Sequence, residues 1–161
     1  MEVQIARMIE KKTSCVYCSL KYVLDFFSVS YINLEEFIVR DKDGFDFNLN
    51  LINRVIDGTK IMCEFFNPYL DNLIDIDLIF RENSENLVSL LANDYGVLIG
   101  AKDKMKHISI LGEYISLKNE LSLINPISKS KSLFSLKLIY KSIFPEDNRY
   151  GFYIFKRESN F

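Results

Sequence analysis

The first half of the chain carries apolar residues at helical spacing. Cys15–Phe27 is apolar nearly all round except at Lys21 and Asp25, which fall with Ser14 on one narrow line of a helix. Ser14, or the threonine before it, can accept hydrogen bonds from the amides of the first turn. The pattern therefore predicts a mostly buried helix whose first turn contains Cys15.

The same spacing predicts further helical segments around Asn33–Val39 and Leu49–Asp57, the second of them ended by Gly58. Short helices are also predicted at Asn83–Asn93 and around Leu136–Phe144.

A two-residue alternation replaces this pattern in the second half and predicts strands at Gly96–Ala101, His107–Tyr114, Leu121–Asn125 and Gly151–Lys156. A helical segment followed by strands predicts an α+β fold, with an N-terminal helical lobe packed on a C-terminal antiparallel sheet. No stretch rich in Pro, Gly or Ser divides the chain, so residues 1–161 are predicted to form a single domain.

Composition and charge exclude several classes of function. The 161 residues carry a formal charge of −2 with scattered Lys and Arg, so no nucleic-acid partner is expected. No apolar run reaches the roughly 20 residues of a membrane span, and the first residues lack the pattern of a secretory signal. A cytoplasmic protein is expected. Three cysteines, an odd number, predict thiols rather than a disulfide framework.

Cys15 and His107, the single histidine, are the candidate reactive groups. A thiol is nucleophilic as its thiolate, and a helix N-terminus or a neighbouring imidazolium lowers its pKa. His107 begins a predicted strand and is the candidate base. Asn125 ends the next strand and is the candidate residue that orients the imidazole, which gives the roles of a Cys, His and Asn triad.

The pairing of these two strands decides whether Asn125 meets His107. A hairpin centred on Ser116 would place the two residues opposite each other. Lys118–Asn119 is the better turn by composition, and a turn there would move Asn125 towards Ile110 unless a bulge intervenes.

Three blocks of the sequence together point to a known family. Ser14–Leu24 (Ser-Cys-Val-Tyr-Cys-Ser-Leu-Lys-Tyr-Val-Leu) corresponds to a nucleophile helix, Tyr95–Ile99 and Lys106–Tyr114 to a strand, a loop and a His-bearing strand, and Leu123–Pro126 to an Asn-Pro block. In this order they resemble the double-glycine-leader (bacteriocin-processing) peptidases and their stand-alone papain-like relatives. The resemblance covers nearly the whole chain and implies a papain-like cysteine peptidase fold.

The resemblance implies a cysteine peptidase or acyltransferase that acts through a thioester on Cys15, with His107 and Asn125 completing the triad. It implies a peptide substrate such as a leader peptide, or a small acyl substrate, and a transporter or peptide-modifying enzyme as partner. One branch, similar to the acyltransferase domain of butirosin biosynthesis, moves an acyl group instead of hydrolysing a peptide. The triad needs no cofactor or metal.

Two positions depart from the family pattern. Val16-Tyr17 replaces the Gly-Pro after the nucleophile, and Ile9 stands where the oxyanion-hole Gln is expected, with Gln4 five residues too early. Losing one oxyanion donor lowers turnover on the order of 10²–10³-fold. The competing expectation is therefore a catalytically weak papain-like domain that binds a leader peptide or a partner protein.

Other interpretations of the cysteines stay open. Cys15 can be a buried core thiol, and Cys18, one turn on, is expected in the core where the family has Ala. The two have the Cys-x-x-Cys spacing of a redox pair, although charged residues rather than a buried strand precede them. With Cys63 and His107 they have the composition of a zinc site, but only the spacing between Cys15 and Cys18 supports such a site.

Overall fold

A computed structural model describes residues 14–30, 34–38, 40–41, 44–69, 86–145 and 147–158. Its helical elements are α1 (Cys15–Phe26), the 3₁₀ turn Leu34–Phe37, α2 (Leu49–Ile56), α3 (Tyr95–Ile99) and α4 (Leu136–Lys141). The helices predicted at the positions of α1, α2 and α4 are confirmed. Gln4, Ile9, Asn33 and Val39 lie outside the described residues.

The strands are β1 (Arg40–Asp41), β2 (Gly44–Phe45), β3 (Ile61–Phe66), β4 (Leu87–Asp94), β5 (Lys106–Ile115), β6 (Glu120–Ile124), β7 (Lys131–Ser135) and β8 (Gly151–Arg157). Strands β1 and β2 pair with each other. The other six form one antiparallel sheet in the order β3-β8-β4-β5-β6-β7. Helices packed on an antiparallel sheet confirm the predicted α+β class. None of the described helices is both long and apolar enough to cross a membrane.

The central strands of the large sheet are buried on both faces. The α1 face packs against α1 and α2 and includes Leu90, Ile108, Ile110, Tyr153 and Phe155. The α4 face packs against α4 and includes Leu91, Leu121, Leu123 and Phe152. Successive side chains of a strand point to opposite faces. Accordingly, Leu90 and Leu91 are both fully buried, one on each face.

Helix α1 begins where the sequence predicts. Ser14 is extended, and its Oγ accepts a hydrogen bond from the amide of Tyr17 at 3.1 Å, which satisfies one donor of the first turn. The apolar side chains of the helix then enter the α1 face at helical spacing; they include Val16, Leu20, Val23 and Leu24. Cys15 is therefore the first residue of the helix.

Two predicted elements are wrong in type. The helix predicted at Asn83–Asn93 is strand β4 from Leu87 onward, and residues 83–85 lie outside the described residues. Because β4 is buried on both faces, its apolar run lacks a two-residue alternation and cannot be distinguished from a buried helix by periodicity.

The strand predicted at Gly96–Ala101 is mostly helix α3. The side chain of Asp94 accepts a hydrogen bond from the amide of Gly96 at 3.0 Å and caps the first turn. Gly100, with a φ of 70°, ends the helix in the left-handed conformation. These two caps decide the structure of an apolar segment that is otherwise compatible with a strand.

The edge strands β3 and β7 are absent from the sequence prediction. Ile61–Phe66 lies in the half of the chain with helical spacing, yet it pairs along its whole length with β8, near the other end of the chain. Strand β7 is exposed at nearly every position and so carries almost no alternation. Both strands form through pairing that a local pattern does not contain.

A β-bulge sets the register of β5 and β6. Tyr114 pairs with Leu121, and after a shift Leu111 pairs with Leu123. Within the bulge, Ser122 Oγ accepts a hydrogen bond from the amide of Glu113 at 2.6 Å, and a Cβ on Gly112 would overlap the same hydroxyl. Extended by one pair beyond Ile124, this register brings Asn125 level with Ser109. It is opposite neither His107 nor Ile110.

Candidate functional site

Cys15 lies at the start of α1, half-buried against the apolar cluster of the α1 face. Burial raises the pKa of its thiol above the ordinary value. Backbone hydrogen bonding at Ile108 and at Cys15 itself, together with the charge of Lys106, lowers the pKa but only in part. The raised pKa means that the Cys15 thiol is mainly protonated at neutral pH.

His107 lies near the start of β5, with its ring packed against Tyr95 at a centroid distance of 5.3 Å. It lines a small polar cavity with room for about one water molecule, together with Ser109, Asn125, Ser130 and Ser132. Burial lowers the pKa of His107 below its ordinary value. The imidazole is therefore neutral at neutral pH and has the protonation state that a base requires.

Asn125 shares this cavity with His107, so the structure brings together the candidate base and its candidate orienting residue. The side-chain oxygen of Asn125 accepts hydrogen bonds from the amides of Ile127 at 2.9 Å and Ser128 at 3.1 Å. This is the turn-capping arrangement in which Asn is common. The oxygen of Asn125 is thus engaged by the turn that follows β6.

The side chains of Cys15 and His107 lie on opposite faces of β5, although the Cys15 thiol is hydrogen-bonded at the backbone of Ile108, the residue after His107. Ile108 packs on the α1 face with Cys15, whereas His107, one residue earlier in β5, points to the opposite face because side chains alternate along a strand. Cys15 is not among the described residues that line the cavity of His107, and neither side chain shifts the pKa of the other. The pairing of thiolate and imidazolium therefore stays a prediction.

Two polar residues near the candidate site are not identified by the sequence patterns. Lys106, on the same face as Ile108, is the charged side chain that lowers the pKa of Cys15. Asn93 pairs with His107 across the sheet, is fully buried, and donates from Nδ2 to Ser142 Oγ at 2.9 Å. Strand parity could have found both residues. Lys106 precedes His107 in β5 and therefore faces the other way, and Asn93 shares the face of His107 once β4 is recognised as a strand.

The zinc interpretation finds no support in the part of the chain that the structure describes, where no three His, Cys, Asp or Glu side chains are grouped as ligands. Cys63 lies in β3 opposite Phe155. Burial there, together with the charge of Glu64, raises the pKa of its thiol to about 12, and backbone hydrogen bonding at Ile154 opposes the rise only in part. Cys63 is therefore a protonated, partly buried thiol that packs against the core.

A groove of about 430 Å³ runs between the C-terminal half of α1 and strands β4 to β6. Its walls are mainly aromatic and aliphatic; they include Tyr22, Phe26, Leu111, Tyr114 and Ile124. Glu113, in the β-bulge, adds an exposed carboxylate to the lining. This volume lies within the roughly 300–1,000 Å³ of typical ligand pockets.

Comparison with known proteins finds no protein-family model that matches the chain and no curated protein that is similar to it. The chemistry of the site is therefore inferred from its own residues.

Proposed function

We propose that this chain is a papain-like α+β domain that binds an extended peptide segment in the groove beside α1. The occupant is a peptide with apolar side chains and a nearby Lys or Arg, such as a leader peptide. The observation that carries the proposal is the apolar groove that lies open along α1, and the placement of His107 on the α4 face while Cys15 packs on the α1 face supports binding over hydrolysis. Binding without efficient hydrolysis fits both features.

The groove lining supports a peptide ligand. Tyr22, Phe26 and Tyr114 offer rigid aromatic surface, which gives a large contact area at a low cost in side-chain entropy. Phe26 is 38% exposed, which is high for so large an apolar side chain near a core. The carboxylate of Glu113 would favour a basic residue next to the apolar ones.

Binding can be tested by titration calorimetry with synthetic peptides whose sequences are encoded beside the gene for this protein. Phe26→Ser is expected to weaken binding by about tenfold, since an aromatic anchor typically contributes more than about 1 kcal/mol. Leu133→Ser is the matched control, because Leu133 is similarly exposed at 45% but lies on the edge strand β7. Equal peptide affinities for the two variants would show that the groove is not the binding site.

The second candidate function is acyl transfer through a thioester on Cys15. It is favoured by the position of Cys15 at the first residue of α1, by its backbone hydrogen bonding and by the charge of Lys106, which all stabilise a thiolate. Mass spectrometry after incubation with the same peptides would detect an acyl adduct on Cys15 or a cleaved peptide. Turnover that disappears in a folded His107→Ala variant would overturn the binding proposal in favour of the triad enzyme.

A further inference from the structure

Cys15 and Cys18 occupy the first and fourth positions of helix α1. By helix geometry their Cα atoms are about 5 Å apart, inside the roughly 4.4–6.8 Å that a disulfide spans. Both side chains project from the same side of the first turn, and each carries a thiol. Little backbone movement is needed to join them.

The two thiols have different surroundings. Cys15 packs against the core of the α1 face, whereas Cys18 is the least buried of the three cysteines. Burial raises the pKa of the Cys18 thiol, and the charges of Lys129 and Lys21 oppose this rise only in part. Lys129 is held nearby by its contact with the ring of Tyr22, at 5.6 Å from the centroid. Cys18, which does not pack against the core and lies beside two lysines, is the candidate attacking thiol, and the half-buried Cys15 one turn away is the candidate resolving thiol.

We propose that Cys15 and Cys18 form a reversible disulfide, and that a low-molecular-weight disulfide of the glutathione type is the oxidant. Oxidation converts the first turn of α1 into a covalently closed loop and removes the Cys15 thiol from reaction. The proposal does not depend on the peptide-binding function, because it uses the start of α1 and not the groove.

The reaction has two steps. Cys18 loses its proton, its thiolate attacks one sulfur of the small disulfide, and a mixed disulfide forms while the other half leaves as a thiolate. Cys15 then loses its proton and attacks Cys18 Sγ, so that the Cys15–Cys18 bond forms and the second half leaves. Two electrons pass from the cysteines to the small disulfide, and the two protons are taken up by the two departing thiolates.

The full chain can be equilibrated with mixtures of reduced and oxidised glutathione, quenched in acid, alkylated and digested with trypsin. Cleavage after Lys12 and Lys21 places both cysteines in one peptide, residues 13–21. In oxidising mixtures we expect this peptide to lose two hydrogen atoms and to resist alkylation until it is reduced. Cys63→Ala is the matched control and should leave this change intact.

A second measurement separates an internal disulfide from a trapped adduct. In Cys15→Ala, the mixed disulfide between Cys18 and glutathione should accumulate at least about tenfold above its level in the unmodified protein, because the internal thiol that displaces glutathione is gone. Equal adduct levels in the two proteins, with peptide 13–21 otherwise reduced, would overturn the proposal.

Discussion

The two faces of the large sheet differ in the length of the helix that covers them and in the polarity of their side chains. The α1 face is covered by a helix of 12 residues and holds a nearly continuous apolar cluster, with Cys15 at its margin. The α4 face is covered in part by α4, of 6 residues, and holds the polar groups His107, Asn93 and Ser109. Adjacent residues of β5 therefore have different surroundings: His107 lies among polar groups, and Ile108 lies in the apolar cluster.

This difference shows that a triad cannot be inferred from residue order alone. A nucleophile on a helix and a base on a strand meet only if the base has the strand parity that faces that helix. Ile108 has this parity and His107 does not. His107, the candidate base, therefore lies beside Asn125 and the serines of the cavity. Cys15, the candidate nucleophile, packs against the core.

Leu90→Ala and Leu91→Ala test the two-sided burial of β4 and should have the largest effects. Both side chains are 0% exposed, on opposite faces, so each substitution should lower the free energy of unfolding by about 2–5 kcal/mol. Urea denaturation measures this. Leu117→Ala, at a position 99% exposed, is the control and should change stability by less than about 0.5 kcal/mol. A negligible cost for either β4 variant would contradict the two buried faces.

Gly112→Ala tests the bulge that keeps Asn125 on the face of His107. The added Cβ would overlap Ser122 Oγ, so we expect a loss of about 1–3 kcal/mol. Ser122→Ala removes that hydroxyl together with its hydrogen bond from the Glu113 amide. The double variant should therefore be less destabilised than the sum of the single variants. Strict additivity would show that Gly112 and Ser122 are not in contact.

His107→Gln tests the buried neutral imidazole. Because burial lowers the pKa of His107 below that of the unfolded chain, the unfolded state binds a proton that the folded state does not. The associated stability is present above the unfolded pKa, about 6.5, and is lost as pH falls through the folded pKa. Between about pH 7.5 and pH 5 the melting temperature should fall less in the variant than in the unmodified protein.

The exposed-site variant Leu133→Gln is the control for this comparison and should keep the pH dependence of the unmodified protein. Identical pH dependence in His107→Gln would mean that His107 is accessible to solvent and not held in the cavity.

Local signals predict the elements with caps and strong periodicity. Ser14 and the apolar spacing identify helix α1, and the alternation in β5 and the Asn-Pro block locate His107 and Asn125. The α+β class can be predicted from the same features, because each of them depends only on residues that are close in sequence.

Features that depend on distant parts of the chain were not predictable. Strand β4 carries no alternation because two different layers bury it, and β3 exists only through its pairing with β8. The bulge at Gly112 shifts the register by one residue, which periodicity does not reveal. The placement of Cys15 relative to His107 depends on all of these, and so the local sequence pattern alone does not determine it.

The most direct test of this account is the rate of iodoacetamide reaction at Cys15 as a function of pH, followed by mass spectrometry, in the unmodified protein and in His107→Ala. Because His107 lies on the other face of the sheet, the two pH profiles should coincide, with Cys15 reacting more slowly at neutral pH than an ordinary exposed thiol. A rapid reaction of Cys15 near neutral pH that is lost in a folded His107→Ala variant would contradict the separation of the two residues.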